Sequence, residues 1–120
     1  MVTGGEYYGG SFDGLSSTEV LSYPDGQAWR EVGPLPLPRS GLRGASLAGV
    51  LHVTGGFNGK HSHNFTFTNN PGASTPRYLS SVLAWDPVTE TWSEAAKLAE
   101  ARYRHAVTEL PLAAVAHYCN

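Results

Sequence analysis

Short apolar runs, each broken after a few residues by Gly, Pro, Asp or Ser, organise this chain from end to end. The stretches "TEVLSY", "AWREV", "GASL", "VLHVT", "LSSVLAW" and "TWSE" are rich in Val, Leu, Thr and aromatic residues and are bounded by turn formers. Runs of that length and composition predict β-strands rather than helices. The predicted strands cover residues 1–5, 18–23, 28–32, 44–47, 50–54, 79–85 and 91–94, a further one starts at 104–110, and "VAHYCN" (115–120) is a possible last one. Two stretches, 24–27 and 86–91, read as hairpin turns, each followed by a tryptophan, Trp29 or Trp92. Helix competes in one place, "SEAAKLAEARYRHAV" (93–107), whose Ala, Glu, Lys, Leu and Arg favour it. The stretch that matches it on repetition, "GPLPLPR" (33–39), holds three prolines and forbids helix, so an irregular connection is expected in both.

The chain repeats itself. Val2-Thr3-Gly4-Gly5 returns as Val53-Thr54-Gly55-Gly56, 51 residues on; Val20-Leu21 falls on Val82-Leu83 at 62, which sets Tyr23 on Trp85; Trp29 falls on Trp92 and Arg39 on Arg102, both at 63. The offset grows because residues 57–78 hold about a dozen extra. Two successive glycines permit a positive φ and a close backbone approach, which explains their return at the end of an apolar run.

Gly-Gly, then an aromatic with Asp-Pro as in Trp85-Asp86-Pro87, then a Trp, then an Arg, in fixed order and twice, resembles the kelch repeat. The resemblance implies an all-β fold, a fragment of a β-propeller of about two four-stranded antiparallel blades, with strands a to d running outward from the centre. One blade would be complete. It divides the chain at 1–38 (first blade, strands b, c and d only), 39–98 (complete second blade with a long b–c connection, 57–78) and 99–120 (start of a third blade or a closing strand). It gives Gly4, Gly5, Tyr23, Trp29, Arg39, Gly55, Gly56, Trp85, Asp86, Trp92 and Arg102 structural roles, with Trp29 and Trp92 buried and Trp85 less critical. Members of the family commonly use loops on one face of the disc to dock peptides, actin or degradation substrates. The resemblance therefore implies a non-enzymatic protein-interaction module with no cofactor. Its rivals are a remnant of a propeller enzyme, galactose-oxidase-like or sugar-acting, and an inactive fragment of a longer kelch protein.

Composition narrows the partners. With 15% charged residues, a formal net charge of −2 and no two adjacent Lys or Arg, the sequence offers no basic footprint for nucleic acid or an anionic membrane. Partners are expected to be proteins read by shape, including further blades of a parent chain or copies of this one, because terminal blades with open strand edges invite pairing. The chain starts inside a motif, which fits a piece of something longer. The single Cys119 and the lack of a signal sequence favour a cytoplasmic location over the alternative of a secreted fragment, without fixing it.

Candidate chemistry is sparse. His61 and His63 are spaced to share a metal, but no third ligand is near in sequence, so no metal site is assigned. Cys119 beside Tyr118 and His117 is the only trace of copper-radical chemistry, and Asn64-Phe65-Thr66 forms a glycosylation sequon. Arg39 and Arg102 are read as donors to backbone carbonyls at blade junctions, and Arg43 and Arg104 equally as structural donors or as a rim that meets acidic peptides. The connection 57–78 is expected to be the most variable and mobile part and the docking surface. Candidate partner contacts are Tyr7, Tyr8, His61, His63, Phe65, Phe67, Arg77, Tyr78 and Arg104.

Overall fold

A computed structural model describes residues 1–8, 12–22, 25–61, 67–69, 78–111 and 113. Its strands are β1 (Val2–Thr3), β2 (Glu6–Tyr8), β3 (Phe12–Gly14), β4 (Thr18–Leu21), β5 (Trp29–Val32), β6 (Arg43–Leu47), β7 (Val50–Thr54), β8 (Gly59–His61), β9 (Phe67–Asn69), β10 (Val82–Asp86) and β11 (Thr91–Glu94). Every pairing is antiparallel. A first sheet runs β1-β4-β5, a second β6-β7-β10-β11, and a third, β2-β3-β8-β9, bridges the connections of the other two. The all-β antiparallel architecture is the one expected of a propeller fragment.

Turn chemistry sets the hairpins. Ala48 and Gly49, at φ 51° and 79°, make the two-residue link between β6 and β7 that matches strand twist. Between β10 and β11 the Asp86 carboxylate accepts from the amides of Val88 (2.8 Å) and Thr89 (3.4 Å), which closes the turn and holds its carboxyl below the ordinary range.

The repeat is written in the backbone. Five hydrogen bonds of the first sheet recur in the second: Gly4 N to Ser17 O, Leu15 N to Gly5 O, Gly5 N to Arg39 O, Arg39 N to Leu15 O and Leu35 N to Ser16 O become Gly55 to Ser81, Leu79 to Gly56, Gly56 to Arg102, Arg102 to Leu79 and Leu98 to Ser80. Both Gly-Gly pairs hold positive φ, 65° and 102° against 58° and 115°, and a Cβ on Gly55 would run into the Arg102 carbonyl. That close approach is the physical reason for glycine there.

The two main sheets pack face to face. Leu35, Val53 and Leu83 form the buried cluster, with Leu42 and Trp92 against it. The Trp92 indole donates to Thr18 Oγ1 at 3.1 Å, and that hydroxyl is tied to Thr3 Oγ1 at 2.7 Å. At the outer rim Arg30 clasps Glu90 through two bonds of 2.7 and 3.1 Å.

Four expectations change. Trp29 is 50% exposed, not buried, because it holds on the first sheet the position that Trp92 holds on the second, and no preceding sheet covers it among the described residues. Leu21, not Tyr23, takes the place of Trp85: Leu21 faces Trp29 across the hairpin as Trp85 faces Trp92, a shift of two residues in the repeat alignment. Tyr23 itself lies outside the described residues. Trp85 is buried and packs against Trp92 with ring centroids 5.0 Å apart and planes tilted by 57°, so it is no less a part of the core than its partner. Residues 104–110 join no ladder among the described residues, although Arg104 N bonds Gly41 O at 2.7 Å and Ala48 N bonds Glu109 Oε1 at 3.0 Å. Beyond these, the connection 57–78 carries strands where it is described: β8 and β9 pair with one another, and β8 pairs with β3 of the earlier connection. Residues 95–107 are not helical, as the prolines of their counterpart demand, and 115–120 lie outside the described residues.

Candidate partner-binding end

Strands β1 and β7 are each followed by Gly-Gly, and at that end of the sheets lie Phe57, Tyr78, Tyr103 and Arg104. Phe57, directly after Gly56, is 2% exposed and pairs through its backbone with both Ser40 and Tyr78. Its ring meets those of Tyr78 (centroids 5.5 Å apart) and Tyr103 (6.0 Å), which are themselves 5.2 Å apart. Over Tyr103 sits the Arg104 guanidinium, 5.4 Å from the ring centroid, a cation–π arrangement. Arg104 holds φ 52°, as Gly41, its counterpart one repeat earlier, holds 62°.

Beside this cluster His105 places Nε2 2.6 Å from Thr54 Oγ1. Its Nδ1 is buried with no hydrogen-bond partner among the described residues. Burial, then the charges of Arg43 and Arg102, pull the imidazole below its ordinary value of 6.5, so it is neutral at neutral pH. Tyr78, Ala101, Arg102, Tyr103 and His105 line an open groove of about 490 Å³. Exposed arginines over an aromatic floor can accept carboxylates while stacking apolar groups below them.

Arg39 belongs to a different setting. It is 1% exposed, and its guanidinium donates to the carbonyls of Leu37 (3.3 Å) and Gly55 (3.2 Å) and to Ser81 Oγ (2.8 Å). Desolvation lowers its pKa to about 10, which leaves it cationic at any physiological pH. It thus bonds carbonyls at the junction of the two sheets, as the sequence suggested. Arg102 shares its backbone bonds but has an exposed side chain.

The expected partner contacts divide. Tyr7 is 60% exposed on β2, Tyr78 and Arg104 are exposed in the aromatic cluster, and the backbones of Tyr8, His61 and Phe67 lie in the bridging sheet. His63, Phe65 and Arg77 lie outside the described residues, as do Asn64 and Cys119. Sequence reasoning missed Tyr103 and His105, whose signal was their place in "RYRH" directly after the recurring Arg102. No group of three His, Cys, Asp or Glu is placed to hold a metal among the described residues, and no helix there is long and apolar enough to cross a membrane.

Comparison with known proteins agrees with the geometry. The model of the kelch motif matches residues 38–99, just over half of the chain. Beta-scruin of Limulus polyphemus is 34% identical over 90 residues, covering 74% of this chain and 9% of its own length, so the chain spans about a tenth of that relative. Kelch repeats generally mediate protein–protein interaction and are typically non-enzymatic. A repeated Gly-Gly corner with ten matched backbone bonds, and a motif match across the second sheet, establish that this chain belongs to the kelch-repeat family.

Proposed function

We propose that the chain is a non-enzymatic interaction module that docks an acidic segment of a partner protein at its Gly-Gly end. The carrying observation is the packing of Arg104 on Tyr103, whose ring meets that of Tyr78, beside the groove that Arg102 borders. Arg43 and Arg102 both act on His105 electrostatically, so three arginines converge on one small area. A convergent cationic cluster beside partly exposed rings suits carboxylates interspersed with apolar side chains. The bridging sheet stands at the same end and contributes the exposed Tyr7. Two kinds of protein surface meet the chain in this reading: an acidic segment at this end, and copies of the chain or further blades of a parent chain at the flanks of the sheet pair.

Fluorescence anisotropy with a labelled peptide of alternating Glu and Leu, against the same peptide with Gln for Glu, tests the first. The acidic peptide binds the wild-type chain at least about tenfold more tightly, and Arg104→Ala and Arg102→Ala each remove most of that difference. Equal affinity for both peptides, or full discrimination by the double variant, overturns the reading.

A further inference from the structure

Arg39 is a cation set into the joint between the two main sheets, 1% exposed and with no carboxylate paired to it among the described residues. Its bonds go to neutral oxygens, from Nε to Leu37 O and from Nη1 to Gly55 O and Ser81 Oγ. They use Nε and Nη1 and leave Nη2 without a bond among the described residues. Burial alone acts on its pKa, so no neighbouring charge offsets the desolvated guanidinium. Arg30 shows the contrast, since at the exposed rim it has Glu90 as its counter-charge.

Nη2 is not walled in either. Leu37 and Ser81, which hold the guanidinium, line with Arg39 a half-open cavity of about 200 Å³ between the connection that follows β5 and the residues that lead into β10. A cavity of about 150 Å³ takes a molecule the size of benzene, so this one suits a ligand of about six to eight non-hydrogen atoms. Its walls are of two kinds. Leu79 and Leu83, both buried, and Pro36 make the apolar part. Ser80 adds a polar group: its carbonyl accepts from Leu98 N, whereas its hydroxyl has no bond among the described residues. Glu94 and Lys97, both exposed, complete the lining with opposite charges, so the net charge of the cavity is that of Arg39.

We propose that this cavity is a binding site for a small aliphatic carboxylate, whose oxygens take the Nη2 hydrogens of Arg39 and the Ser80 hydroxyl while its chain lies on Leu79 and Leu83. The carboxylate supplies the counter-charge that the buried guanidinium lacks, in surroundings of low dielectric where a charge-assisted bond is strong. Selectivity follows from the same imbalance. A neutral amide of the same shape brings no charge and sets its own N–H donors against donors. A free acid and the last residue of a polypeptide present the same group and differ only in what continues past the mouth. The cavity shares Tyr78 with the groove at Tyr103 but none of that groove's cationic groups, so the site does not rest on the docking of an acidic segment.

Nitrogen–proton correlation NMR of the 120-residue chain, titrated with isocaproate and with isocaproamide, tests this at the Arg39 Nε–H resonance. The acid shifts that resonance and saturates at a concentration at least about tenfold lower than the amide. N-acetyl-leucine separates the two sources: tighter binding than isocaproate assigns the site to a chain end, and equal or weaker binding assigns it to a free acid. Because Arg39→Ala also removes bonds that hold the joint, the deciding variant is Ser80→Leu, which fills the cavity and leaves the Arg39 bonds in place. It loses the saturable shift while its tryptophan fluorescence still unfolds cooperatively. Equal saturation by acid and amide, no shift with either, or wild-type binding by Ser80→Leu overturns the inference.

Discussion

The indole nitrogen of Trp92 donates to Thr18 Oγ1 at 3.1 Å, so a side chain of the second sheet is fixed by a fully buried residue of the first. Its repeat partner Trp29 has no such neighbour and is half exposed. Two tryptophans at one sequence position therefore differ in worth. Trp92→Ala should cost about 3 kcal/mol from lost packing against Leu35, Val53 and Leu83, and Trp29→Ala less than about 1 kcal/mol. Urea denaturation of the two variants measures both, and similar losses for the two would contradict the packing described.

Arg39 and Arg102 make the same contrast with charge. Arg39→Ala orphans the Gly55 carbonyl and the Ser81 hydroxyl in a dry junction and should cost about 3 kcal/mol. Arg39→Lys should recover only part of this, since one ammonium cannot reach three acceptors fixed for a planar fork. Arg102→Ala should stay within about 0.5 kcal/mol. Thermal unfolding of the three variants decides the order.

How much of this was legible in the sequence can be judged at the same positions. The double glycines, the tryptophans and the arginines gave the fold, because each repeats with its chemistry. The strand before Trp29 was set two residues out of register: Val-Leu recurs at 20–21 and 82–83, but the backbone aligns Leu15-Ser16-Ser17 with Leu79-Ser80-Ser81, an identical tripeptide and the better marker. Strands β2, β3, β8 and β9 were unreadable, since short stretches with glycine and polar residues carry little strand signal and pair here with one another rather than with the main sheets. The exposure of Trp29 could not be seen either, because a sequence names the residue that fills an interface but not the neighbour that covers it.

His105 makes stability depend on pH. Its folded pKa lies below the unfolded value of 6.5, so the unfolded chain binds a proton that the folded chain refuses. Stability is full above that value and falls as pH drops below it, where an imidazolium would face Arg43 and Arg102. His105→Gln can keep a bond to Thr54 without titrating, so it should flatten the unfolding midpoint between about pH 7.5 and 5.5. A variant as acid-sensitive as the wild type would place the effect elsewhere.

Connections between strands are usually where a protein family gains and loses residues without penalty. The ladder between β3 and β8 withdraws that freedom here, because Phe12 and Asp13 of one connection find their backbone partners in His61 and Lys60 of the other. Shortening either one strips an edge from both. The two connections are thus bound to change length together over descent, and under load they stitch the blade pair into a unit that must tear rather than slide.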